Sequence, residues 1–196
     1  MATTDVDICN RALSRLGTRA TISALDENST EARTSSIWYG ATRDVLLRSH
    51  DWNFARRRVI LAEQGTVPTG WSFRYALPTD CIRLLRIASA LSHRDSARFE
   101  VAGDSTSRFV LCDEPAAEAV YTARVDDPNL YDAGFASALV DQLAAHIAYP
   151  ITQKTEIAVR LAQMARAALA DAMAADVNDA GGRIGDRVPD WIAARL

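Results

Sequence analysis

The sequence predicts an α+β protein: a bundle of about four helices with an antiparallel β subdomain inserted between helices two and three, plus an extended C-terminal arm. Three observations lead there. Apolar residues recur at helical spacing near both ends of the chain. The middle consists of short aromatic and β-branched runs split by glycine and proline. The last residues combine paired glycines with a tryptophan and several aliphatics. The expected division is 1–51 and 126–180 for the helical core, 52–125 for the β insertion and 181–196 for the arm.

Val6, Cys9, Leu13 and Leu16 fall on one stripe, Thr4-x-x-Asp7 has the form of a capping box, and Gly17 stands where a left-handed cap would end the helix. The first helix therefore spans about 4 to 16. After a connector through Leu25, Asn28-x-x-Glu31 signals a second start, and Ile37, Trp38, Ala41 and Val45 form its apolar stripe, ending near His50. Strands are expected at about 53–62, 71–77, 81–90, 97–102, 107–112 and 117–125, with a hairpin turn at Gly103 to Thr106. Phe135, Leu139, Leu143 and Ile147 then recur every four residues, and Tyr149-Pro150 is expected to stop this helix. A fourth, alanine-rich helix carries Ile157, Leu161, Met164, Ala168 and Ala172, packing against the third as an antiparallel hairpin. Beyond Ala180 the arm keeps Ile184, Val188, Trp191, Ile192 and Leu196, apolar side chains that need a surface to bury them.

The chain has 196 residues, 48% of them hydrophobic and 24% charged, which is the composition of a folded globular protein. A formal charge of -3 argues against gripping nucleic acid through a broad basic face. Lys154 is the only lysine; arginine, which makes planar bidentate contacts, supplies the other positive charges. Cys9, Cys81 and Cys112 are distant from each other and from histidine, so reduced, buried thiols are expected, with no metal site and no cofactor. No leader pattern and no apolar run of about 18 residues is visible, and synthesis in the cytoplasm without membrane insertion is expected.

No phosphate loop, nucleophile elbow or zinc-protease pattern occurs, and His50, His93 and His146 are isolated. His146 follows Leu143 on an apolar face, as a packed histidine would. Asp113-Glu114 and Asp126-Asp127 are the nearest thing to paired carboxylates, yet their neighbouring prolines suit a turn and a cap better. Arg56, Arg57 and Arg58 alternate sides of a strand and make no single patch. Trp38, Trp52, Trp71, Phe54, Phe73 and Tyr75 are read as core and not as a base-stacking platform.

The order Asn10-x-x-Leu13-x-x-Leu16-Gly17, an acidic connector around Leu25-Asp26-Glu27, Glu31-Ala32-Arg33, and then His50-Asp51-Trp52-Asn53-Phe54 resembles the tail tubular protein A family of short-tailed phages. Leu13, Leu16, Gly17, Trp52 and Phe54 carry the resemblance, which runs from about Val6 to Asp179. It implies a non-enzymatic adaptor, or gatekeeper, of the virion: a ring of about twelve copies beneath the portal protein, receiving the tail nozzle below and letting genomic DNA pass without specific binding. It also implies that the helices lie next to the portal, that the sheets project toward the tail, and that an arm holding Arg183, Ile184, Arg187, Val188, Trp191, Ile192 and Leu196 reaches the portal. Asp171, Asp176 and Asp179 are candidates for lining the channel. Two other readings are a tail-associated peptidoglycan hydrolase, for which Glu114 and Glu118 would be tested, and an adaptor meeting a stopper in a long-tailed phage.

Overall fold

The computed structural model describes residues 3–88 and 96–179. The chain order is α1 (Asp5–Arg15), α2 (Thr30–Ser49), β1 (Arg56–Ile60), β2 (Phe73–Ala76), β3 (Cys81–Ala88), β4 (Phe99–Gly103), β5 (Arg108–Cys112), β6 (Glu118–Ala123), α3 (Ala133–Thr152) and α4 (Thr155–Asp179). The class is α+β, with the strands between the second and third helices as the sequence predicts. Short 3-10 turns at Asn53–Ala55 and Pro128–Leu130 flank the strands. The expected arm, residues 181–196, lies outside the described residues.

The local signals act as anticipated at the first helix. Thr4 Oγ accepts the Asp7 N–H at 3.1 Å while the Asp7 carboxylate accepts the Thr4 N–H at 2.9 Å, closing the capping box. Gly17 takes φ +77, a conformation that costs other L residues energy. The second start falls at Ser29, one residue past Asn28, because the Ser29 hydroxyl accepts the Ala32 N–H at 3.1 Å. At the other end of the bundle, α3 runs through Pro150 to Thr152. Pro150 removes one helical donor, and Gln153, with φ 56, closes the last turn by donating to the Tyr149 carbonyl at 2.9 Å.

The strands form two three-stranded antiparallel sheets, ordered β1-β6-β3 and β2-β5-β4. The strand expected from residue 53 begins at Arg56, since residues 53–55 turn into the sheet. The β4–β5 turn is held by Asp104, whose carboxylate accepts the Thr106 and Ser107 N–H groups, each at 2.8 Å. Buried side chains gather in two cores. One joins α1, α2, α3 and α4 around Trp52 and Phe135. The other lies between the sheets around Tyr75, Ile87, Val110 and Tyr121. An ionic chain couples them: Arg43 contacts Asp44 at 2.9 Å and Asp126 at 2.6 Å, and Arg124 contacts Asp44 at 2.8 Å.

The third and fourth helices form the expected antiparallel hairpin. A Cβ built on Gly134, at the start of α3, would lie 3.4 Å from the Ala172 methyl near the end of α4, so small residues set the close approach. Two expected stripes are corrected. On α4, Met164 is exposed and Ala165 takes its place in the core. On α2 the buried residues are Ala32, Ser35, Tyr39, Thr42, Leu46 and Leu47, while the expected stripe of Ile37, Trp38, Ala41 and Val45 faces outward. Hydrophobicity alone selects the wrong face there, because the inner face accepts hydroxyl-bearing residues and ties Tyr39 to Asp5 by a 2.6 Å hydrogen bond.

Candidate assembly surface

The residues that carry the family resemblance build the framework of the helical core. Leu13 on α1 and Leu16 at its C-terminal cap are buried. Asn10, three residues earlier, donates to the Ile22 carbonyl at 2.9 Å and accepts the Ile22 N–H at 2.8 Å, so one amide side chain clips the following connector to the helix. Trp52 is buried, donates its indole N–H to the Leu46 carbonyl at 2.9 Å and meets Phe135 edge to face at 5.1 Å. Phe54 packs on Phe135 at 5.0 Å, and Tyr131 meets both Phe135, at 5.0 Å, and Phe54, at 5.9 Å. The Trp-x-Phe spacing thus places two rings on one partner where the chain leaves α2 for the first sheet.

The outward face of α2 exposes three large apolar side chains among the described residues. Ile37 is 72% exposed, Val45 66% and Trp38 37%. Single exposed apolar residues are ordinary, but these share one face of one helix. Trp38 stacks on His146 of α3 with centroids 4.9 Å apart and planes 12° apart, and Tyr149, one turn further, is also exposed. Burial lowers the pKa of His146, which favours the neutral ring beneath the indole. His146 also meets the Gln142 amide at 3.2 Å, a packed role as the sequence suggests. On α4 the outer residues include Val159, Met164, Val177 and several alanines, the alanines losing almost no side-chain entropy when a second surface covers them.

The candidate channel acids divide. Asp171 and Asp179 are exposed on α4. Asp176 is only 6% exposed: one carboxylate oxygen lies 3.1 Å from His50 Nε2 and the other accepts the Asn53 N–H at 3.1 Å. It is therefore a structural residue and not a free lumen acid, because the turn of α4 that carries it packs onto the α2–β1 junction. Sequence reading also missed Asp141, a buried acid that pairs with Arg15 at 3.0 Å and ties α3 to α1. A lone acid on an apolar helical face was the available signal.

Asp113, Asp126 and Asp127, from the two candidate carboxylate pairs, are held by contacts within the fold. Asp113 accepts the Ser72 N–H at 2.9 Å, Asp126 pairs with Arg43, and Asp127 accepts the Asn129 N–H at 2.9 Å. Glu118 faces Arg58 at 4.0 Å. Arg56 turns to Asp51 at 2.6 Å while Arg57 donates to the Phe54 carbonyl, so the arginine triplet is divided between separate partners. The aromatic residues likewise form no single platform: Trp52 and Tyr75 are buried in different cores, Trp38 lies on the outer face of α2, and Trp71 is covered by the Arg98 guanidinium at 4.3 Å. The three cysteines are free and buried, and burial pushes the Cys9 thiol up to about 12 and the Cys81 thiol up to about 11.

Among the described residues no group of acids, histidines and cysteines could hold a metal ion, and no helix is long and apolar enough to cross a membrane. The proposed arm residues Arg183, Ile184, Arg187, Val188, Trp191, Ile192 and Leu196 lie outside the described residues, as does His93. No protein-family model matches the chain, and no curated protein matches it.

Proposed function

We propose that this protein is a head-to-tail adaptor of a tailed phage, forming a ring that joins the portal protein to the tail and lines the passage for DNA. The observation that carries the reading is the outward apolar face of α2, with Ile37, Trp38 and Val45, together with the exposed Val159, Met164 and Val177 that α4 carries among its outer polar residues. A monomer gains nothing from this arrangement, whereas a neighbour in a closed ring removes it from water at about 25 cal/mol per Å². The net charge of -3 and the exposed Asp171 and Asp179 suit a wall that repels DNA and does not hold it. In this role the arm, Arg183 to Leu196, brings its tryptophan and aliphatics to the portal.

Electron microscopy of purified portal mixed with this protein tests the reading. The expected image is an additional ring on one end of the portal, and it is lost when residues 183–196 are deleted. Undiminished binding by the truncated chain removes the arm from the mechanism. Absence of any association with portal or with other copies removes the adaptor reading itself.

A further inference from the structure

The two sheets leave a basic cleft between their facing edges. β3 is an edge strand of one sheet and β4 an edge strand of the other. They touch at one end, where Ala88 bridges Ser96 and the Ala97 N–H donates to the Ile87 carbonyl at 3.0 Å. Away from that junction a cavity of about 550 Å³ lies between them, with Leu84 on the β3 side, Val101 and Gly103 on the β4 side, and Arg48, Arg83 and Arg108 around it. A register shift between Leu84 and Arg86, and another between Cys81 and Arg83, interrupt the ladder of β3 at this place, as bulges do where a strand re-aims its side chains.

The arginines of the cleft differ in their partners from the ion-paired arginines of the fold. Arg15, Arg43, Arg56, Arg74 and Arg124 each pair with a carboxylate. Arg48, Arg83 and Arg108 have no acid partner among the described residues. Arg48 donates to the Ile82 carbonyl at 2.8 Å and Arg83 to the Arg48 carbonyl at 3.4 Å, which orients both guanidinium groups while leaving further N–H donors open. The stem of Arg108 lies beside Gly103, its register partner across β4 and β5. The nearby acid Asp80 faces the Tyr121 hydroxyl at 3.2 Å.

We propose that this cleft binds an extended acidic peptide segment of another protein, which adds as a strand to an exposed sheet edge and sets its carboxylates against Arg48, Arg83 and Arg108. The edge supplies main-chain donors and acceptors, the guanidinium groups supply bidentate carboxylate contacts, and Leu84 with Val101 accepts the alternate apolar side chains. A nucleic acid fits less well: it cannot continue a β ladder, it finds an apolar wall, and the chain as a whole repels a polyanion. The inference does not depend on ring assembly.

Fluorescence anisotropy on the full chain tests it, with a fluorescein-labelled peptide in which glutamate alternates with valine and threonine. A lysine counterpart and an oligothymidylate serve as the other probes. Saturable binding of the glutamate peptide alone is expected, weakened about tenfold or more by Arg83→Glu with Arg108→Glu, because charge-assisted bonds are removed and repulsion is added. Amide shift changes in the unmodified protein should centre on Val101 to Gly103, a readout that stands even if the double variant fails to fold. No saturable binding, equal binding of the oligothymidylate, an unaffected folded variant, or shift changes elsewhere would each overturn the assignment.

Discussion

His50 at the C-terminal cap of α2 and Asp176 in the last turn of α4 are joined across 3.1 Å, although 126 positions separate them in sequence. The same aspartate accepts the Asn53 N–H, and its own carbonyl accepts the Asn53 side-chain amide at 2.7 Å. The last turn of α4 is thus stapled to the point where the chain passes from helices to sheets. Asp176→Ala leaves the Asn53 N–H without its acceptor and should cost roughly 2 kcal/mol in urea denaturation. Asp171→Ala on the exposed side should stay within about 0.5 kcal/mol of the parent. Equal effects from the two would show that the staple contributes nothing special.

Trp52 combines a buried ring with an indole hydrogen bond that phenylalanine cannot make. Trp52→Phe should lower stability by about 2 kcal/mol, from lost contact with Phe135 and from the Leu46 carbonyl left without its indole donor. Trp52→Ala should reach about 3–5 kcal/mol or prevent folding. Thermal melts with both variants check the order, and a phenylalanine variant as stable as the parent would remove the hydrogen bond from the account.

Acid should weaken the β4–β5 hairpin through Asp104. Hydrogen bonds from Thr106 and Ser107, then Arg74 at 2.6 Å, hold this carboxyl well below the usual carboxylate range. A group depressed in the folded state stabilises fully above its unfolded pKa and loses that contribution as pH falls toward its folded value. Stability at neutral pH should therefore exceed that at pH of about 3, and Asp104→Asn should narrow the gap. Melting curves of the two proteins across this range decide it, and an unchanged gap counts against the role of Asp104.

Ile37→Asp and Val45→Asp separate folding from assembly. Both side chains are mostly in water in the monomer, so each change should alter stability by no more than about 0.5 kcal/mol. Ring formation on portal should be lost, because an unpaired carboxylate would be buried against the neighbour. Sedimentation and electron microscopy provide the comparison. Rings that persist with both aspartates present would show that the outer face of α2 is not the contact.

Much of the helical framework was legible from short-range rules. Thr4, Asp7 and Gly17 mark the ends of α1 through hydrogen bonds and backbone conformation that involve neighbours only a few residues away. Gly103 to Thr106 were recognisable as a turn for the same reason. Pro150 misled because a proline removes its own helical donor without preventing the residues after it from completing the last turn. The surface candidates were less legible: Asp176 looked like any acid on a polar face, and its burial follows from what α4 packs against.

Residue order alone therefore accounts for the class of fold, the six strands, the capped first helix and the helical hairpin, since capping, turn formation and periodicity are local. The facing of α2, the pairing of His50 with Asp176 and the gathering of three arginines between two sheet edges arose only on packing. Each of these depends on groups far apart in the chain, and the energy of burying or exposing a side chain is set by the surface brought against it.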